Sequence, residues 1–262
     1  MARAVAHKEQ APANDALLQT VLRLGDNALI LGQELSKWVS RGPTVELDIA
    51  LANQSLDLIG QARLLLDYAG RLEGKGRDED TLAFHRDAWD FRNVLLVELP
   101  RGDFARTILR QFFYALWAEA FYGALQQSRD ETLAAIAGKS VKEMAYHARH
   151  AGEWVVRLGD GTTESHRRLA EALAELWPYT HELFMSDEAD AEMVAAGIIP
   201  DPKTLRPEWE AAVSEVLDAA GLKIPEDTWR PAGGRDGVHS EHLGFILAEM
   251  QHLPRMYPEA RW

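Results

Sequence analysis

The stretch "LSKWVSRGPTVELDIALANQSLDLIG", Leu35–Gly60, decides the fold. Arg41-Gly42-Pro43 cannot continue a helix, because glycine is costly there and proline lacks the backbone donor and clashes with the preceding turn. Beyond the break, Leu47, Leu51, Leu58, Ala62 and Leu65 recur on one broad helical stripe. The pattern predicts a first helix over about Asn14–Ser40, capped by Asn14 with Asp15 in its first turn, and a second over about Thr44–Leu72. A connection this short makes the two helices antiparallel neighbours.

Working outward, helical periodicity dominates and no convincing strand alternation is present. A third helix is expected over Thr81–Leu99, stopped by Pro100. A fourth runs over Asp103–Ser128 with Asp103 as its cap, and a fifth over Glu131–Leu158, ending at Gly159-Asp160-Gly161. The few residues around Arg129-Asp130 make the fourth and fifth a second antiparallel pair. A sixth helix spans Thr163–Phe184 with a kink at Pro178. Shorter helices follow over Glu188–Ala196, from Pro207 to about Ala220, and over Glu241–Met256. The stretch "IPEDTWRPAGGRDGVHS" reads as a long loop. Two tight hairpins with the third helix as crossover give an all-α, ferritin-like four-helix bundle with additional C-terminal helices. The expected organisation is a disordered tail over 1–14 and a single helical domain over 15–262.

The composition is that of a globular protein with a real core: 47% apolar and 26% charged residues in a chain of 262. Cysteine is absent, so disulfides, thiolate metal sites and cysteine nucleophiles are excluded. No run approaches the roughly 20 apolar residues of a membrane span, and the start lacks an apolar signal core. A cytoplasmic, non-membrane protein is therefore expected. The formal net charge of −13 disfavours nucleic-acid binding, which needs a basic face to neutralise phosphates.

A ferritin-like bundle is where two-metal carboxylate sites are built. They take a carboxylate from each of two helices and a Glu-x-x-His from each of the other two. "VKEMAYHARH", Val141–His150, places Glu143 in a glutamate slot. Tyr146, not histidine, stands three residues on, and His147 at the fourth is rotated by about 100° from the required direction. On the second helix the matching place is Asp57–Gly60, whose histidine slot is Gly60. Folding the first hairpin about Gly42 puts Asp57 opposite Asn27 and brings Asp26 within reach. Folding the second about Asp130 puts Glu143 opposite Trp117. Leu109–Ala118 holds no Asp or Glu, with Glu119 one residue outside. About three of the roughly six ligands remain, so Asp26, Asp57, Gly60, Glu143, Tyr146 and His147 read as a degenerate metal slot. No catalytic, cofactor-binding or metal-ligating residue is assigned. Glu143 is expected to pair with a donor such as Tyr146, Lys142 or an arginine. Glu249-x-x-His252 is a solitary copy on the last helix and reads as an exposed or interface face. In "HSEH", Ser240 reads as a helix cap.

The fourth helix, "RQFFYALWAEAFYGAL", is aromatic almost all round. This is more apolar surface than one bundle face needs, and it points to a partner interface or self-association.

Six blocks carry a family resemblance: "LRLGDNALILGQELSKW", "ELDIALANQSLDLIGQARLLLDYAG", "DEDTLAFHRD", "NVLLVELPRGDFARTILRQFF", "KEMAYHARHAGEWVVRLGDGT" and "GVHSEHLGFILAEMQHLPRMYP". From Leu22 to Trp262 the chain resembles the C-subunit family of the ring-1,2-phenylacetyl-CoA epoxidases, multicomponent oxygenases of bacterial phenylacetate catabolism. The resemblance implies a ferritin-like structural subunit without its own metal or cofactor. It implies a stable complex with a homologous A subunit holding the di-iron site and the acyl-CoA. It also implies a reductase component, with flavin and an iron–sulfur cluster, that delivers electrons from NADPH. Two other readings stay open on the residues alone. One is a free-standing ferritin-like metal oxidase using Glu119, Glu143, His147 or the Glu249/His252 pair. The other is an unrelated helical interaction module.

Overall fold

The computed structural model describes residues 3–226 and 229–260, with side chains from Asp15 onward. The described residues contain ten α-helices and no strand. α1 (Arg3–Ser36) and α2 (Val45–Glu73) form one antiparallel pair, and α5 (Phe104–Leu125) and α6 (Glu131–Gly159) form the other. α1 already runs from Arg3, so the expected start and cap at Asn14 are corrected: Asn14 lies within the helix, while the side chains of the expected tail over 1–14 fall outside the described ones. The helix starts follow local capping: Thr44, Asp103 and Asp130 each accept a backbone N–H of the first turn. α1 stops at Ser36, earlier than expected, and closes in a turn whose Ser40 takes a positive φ of 65°. The Asp48 carboxylate accepts from the Ser40 and Gly42 N–H groups and holds that turn.

The third helix is corrected. Instead of one helix over Thr81–Leu99 there are α3 (Glu79–Phe84), a 3₁₀ turn at Ala88–Asp90, and α4 (Leu95–Glu98). The backbone leaves the helical ladder because distant side chains take its donors. Arg92 N–H goes to Asp26, Val94 N–H to Asn27 and Leu95 N–H to Glu182.

α7 (Thr163–Leu176) gives way at Trp177 to a 3₁₀ segment through Phe184, so Pro178 changes the helix type rather than bending one helix. α8 (Glu188–Ala195) and α10 (Glu241–Met256) stand where expected. α9 runs over Pro202–Ala219, so Pro202 opens it and Pro207 lies inside.

The partner interface expected on the aromatic fourth helix is also corrected. Phe112, Phe113, Tyr114, Trp117, Phe121 and Tyr122 are all buried within this chain. α7 and α9 pack on α5, and Trp177 and Trp209 stack against each other and flank Phe113. The Trp209 indole N–H donates to the Phe113 carbonyl at 3.1 Å. The C-terminal helices thus cover the surplus apolar face. Apolar side chains remain exposed on α2 instead: Val45, Ile49, Leu56 and Ile59. They lie within a stripe about 80° wide on the helix.

Candidate functional site

The slot where a metal would sit is the seam between α2 and α6, closed by α5. Its residues form three rungs in strict antiparallel register. Gln54 meets His150 (Nε2 to Nδ1, 3.0 Å), Asp57 meets His147 (Oδ2 to Nε2, 3.0 Å), and Gln61 donates to Glu143 (2.8 Å). Gln111 of α5 joins the middle rung, its amide 3.1 Å from His147 Nδ1. With Nδ1 accepting from Gln111, His147 carries its proton on Nε2 and donates it to Asp57. His147 is fully buried, so both its ring nitrogens are used in holding the seam together. Burial lowers the pKa of His150. Burial raises the phenol pKa of Tyr114 and of Tyr122, and for Tyr122 the Glu143 charge adds to it.

Only part of the expected slot comes together. Asp57, Glu143 and His147 do line the α2–α6 seam, while Asp26 is taken elsewhere. The fully buried Asp26 is paired with Arg86 and also accepts from the Arg92 N–H at 2.8 Å. Gly60 faces Lys139, with room for a side chain. Tyr146 is half-exposed beside the rings of His147 and His150. The donors to Glu143 are Gln61 and Lys139 (3.5 Å), not Tyr146, Lys142 or an arginine. α5 and α6 are shifted by about a turn from the expected register: Gly123 lies against Val141, and the Glu143 charge reaches the Tyr122 phenol. Glu119 therefore leaves the seam. It lines a groove shared by α5, α6 and α9, where burial raises its carboxyl pKa. On α10, Glu249 lies 3.5 Å from Lys37, and His252 is exposed. Among the described residues no three His, Asp or Glu side chains converge as a metal cage.

Sequence reasoning missed how the buried acids are neutralised. Asp26 faces Arg86. Asp190 sits between Arg23 and Arg235. Glu34 of α1 pairs with Lys37 and stands 3.9 Å from the fully buried Arg110 of α5, whose pKa burial lowers to about 10. Glu98 takes Asn93, His239 and the Ser240 N–H. Glu182 takes three backbone N–H groups, from Leu95, Gly233 and Arg235. Charges inside this core are compensated by guanidinium, imidazole and amide groups, as burial of carboxylates requires. The only signal for this in the sequence was the presence of Arg86, Arg110 and His239 near apolar runs, and that does not say which acid each one meets.

Over 241 residues the chain is 49% identical to the C subunit of the 1,2-phenylacetyl-CoA epoxidase of Escherichia coli (strain K12), covering 92% of this chain and 97% of that protein. Along its full length, residues 1–262, it matches the family described as phenylacetic acid catabolic protein, and the chain belongs to that family.

Proposed function

We propose that this chain is the non-catalytic structural subunit of a phenylacetyl-CoA 1,2-epoxidase, a single ferritin-like domain over 15–262 that supports a di-iron A subunit in the cytoplasm during aerobic phenylacetate degradation. The α2–α6 seam carries this reading. Its slot positions are committed to amide, imidazole and carboxylate partners, and the nearby buried acids are neutralised by arginine. A metal ion would have to displace those bonds, and the Lys139 ammonium beside Glu143 would oppose it. The high identity to the C subunit of an epoxidase supports the assignment to that complex.

Co-expression with an A subunit, followed by an epoxidation assay with and without this chain, tests the role. Stoichiometric iron on the isolated chain would overturn it. Glu143→Gln keeps the shape of its rung and removes the charge, so turnover per intact complex should stay near wild type. A roughly hundredfold fall, about 2.7 kcal/mol of barrier, in a complex that assembles and carries normal iron would place chemistry on α6.

The exposed α2 stripe is the face we assign to the A subunit, since apolar side chains repeated along one helix rarely stay in water. Leu56 is 65% exposed and makes the sharpest test. Leu56→Glu should change the chain's own stability by less than about 0.5 kcal/mol while strongly reducing co-purification with the A subunit. Undiminished co-purification would remove α2 from the interface.

A further inference from the structure

A small cavity lies away from the α2–α6 seam, where α1 and α5 meet the C-terminal elements. Its volume is about 40 Å³. Its lining includes the apolar side chains of Leu24, Phe121 and Leu183. It also includes Thr20, Arg23, Trp117, Glu182, Asp190 and Arg235, which carry polar atoms. Thr20, Arg23 and Trp117 are each more than nine-tenths buried. Each also has a polar atom with no protein partner: Thr20 Oγ1, Arg23 Nε and Trp117 Nε1. Three such atoms on one cavity are unusual, because buried polar groups are almost always bonded.

The chemistry of these atoms selects the ligand. Arg23 Nε–H and the indole N–H can only donate, and the Thr20 hydroxyl can do either. The occupant must therefore accept hydrogen bonds, which excludes a cation and any purely apolar molecule. The two other nitrogens of Arg23 are engaged by Asp187 and Asp190, and Arg235 is engaged by Asp190. With Glu182 alongside, two guanidinium groups face three carboxylates. That field opposes an anion. A neutral acceptor remains, and the volume exceeds the roughly 10–15 Å³ needed to hold a water. We propose that this cavity is a hydration site, in which ordered water accepts from Arg23 Nε and Trp117 Nε1, exchanges a hydrogen bond with Thr20, and thereby ties α1 and α5 to the C-terminal extension. The site is independent of the proposed role in an epoxidase, since it concerns only this chain's own packing.

The test is a high-resolution crystal structure of the full chain, with a parallel water–indole NOE measurement on protein labelled at the tryptophan ring nitrogens. Ordered density within hydrogen-bond distance of both Trp117 Nε1 and Arg23 Nε, with a cross-peak from water to the Trp117 indole proton, is the expected result. Thr20→Val preserves the side-chain shape and removes one partner, so the density should weaken or lose a water. An empty cavity would overturn the proposal. So would an indole N–H bonded to a protein acceptor, or an anomalous peak at the site after a bromide soak, which would make it an anion site. Should Thr20→Val not fold, Trp117→Phe removes one donor with little change of volume. Density unchanged at the indole position in that variant would equally refute the role given to Trp117.

Discussion

Arg86→Met should lower the unfolding free energy by about 3–5 kcal/mol, the usual consequence of removing one partner of a buried ion pair. Asp26 is fully buried, and Arg86 makes its salt bridge, with the His239 ring the other charge that acts on it. Without the guanidinium the carboxylate keeps the Arg92 N–H but not its counter-charge. Arg86 also lies over the Phe91 ring at 4.2 Å and donates to the carbonyls of Leu82 and Asp90, so the substitution loosens the α3–α4 connection as well. In thermal unfolding the midpoint should fall on the order of 10 °C for a chain of this size. Pairing the change with Asp26→Leu removes the stranded charge, and the double variant should recover much of the loss, because an apolar replacement of a buried pair is often near neutral. A single-variant loss below about 1 kcal/mol would mean that Asp26 reaches water or another cation.

The second large effect concerns the Glu98–His239 pair. Glu98→Ala should cost about 3–5 kcal/mol, because it strips the acceptor from His239, Asn93 and the Ser240 N–H at once. The geometry also makes His239 a cation. Its Nδ1 lies 2.7 Å from Glu98 and its Nε2 3.0 Å from the Phe91 carbonyl, so both ring nitrogens face acceptors and both carry protons. Burial alone would lower the imidazole pKa. The Glu98 hydrogen bond and charge, the Phe91 carbonyl and the nearby Asp26 outweigh it, and the pKa is raised.

The sign follows by linkage. A histidine whose folded pKa lies above its unfolded value of about 6.5 stabilises the protein fully below that value and loses the contribution as pH rises through the folded pKa. Stability should therefore decline on the alkaline side in the wild type. His239→Gln should flatten that part of the profile. Denaturant unfolding across pH 6–9 reads it, and an identical pH dependence in both proteins would show that His239 is neutral in the fold. The first turn of α10, whose cap Ser240 follows His239, is the segment expected to loosen first.

The elements of the fold differ in how far they can be read along the chain. The hairpins were legible because their determinants are local. Arg41-Gly42-Pro43 breaks one helix, Thr44, Asp103 and Asp130 start the next ones through their own first-turn N–H groups, and the apolar stripe of α2 repeats within a few residues. The α10 boundaries were legible for the same reason, through Ser240 and Glu241. The crossover was not. Its helical propensity was real, but Asp26, Asn27 and Glu182, lying 66, 67 and 87 residues away, capture the N–H groups of Arg92, Val94 and Leu95.

The candidate site divides along the same line. Residue identities alone determined that the Glu-x-x-His pattern fails at Tyr146 and Gly60 and that Glu143 and His147 share a helix. Tertiary structure decided that Glu143 meets Gln61 and His147 meets Asp57. It turned Asp26 to Arg86 and Glu119 into a groove, and it covered the aromatic face of α5 with the chain's own C-terminal helices. The physical reason is range. Capping and periodicity act over a turn or two of helix and can be read along the chain. The neutralisation of a buried charge depends on which side chain reaches it across the fold, and no spacing along the sequence encodes that meeting.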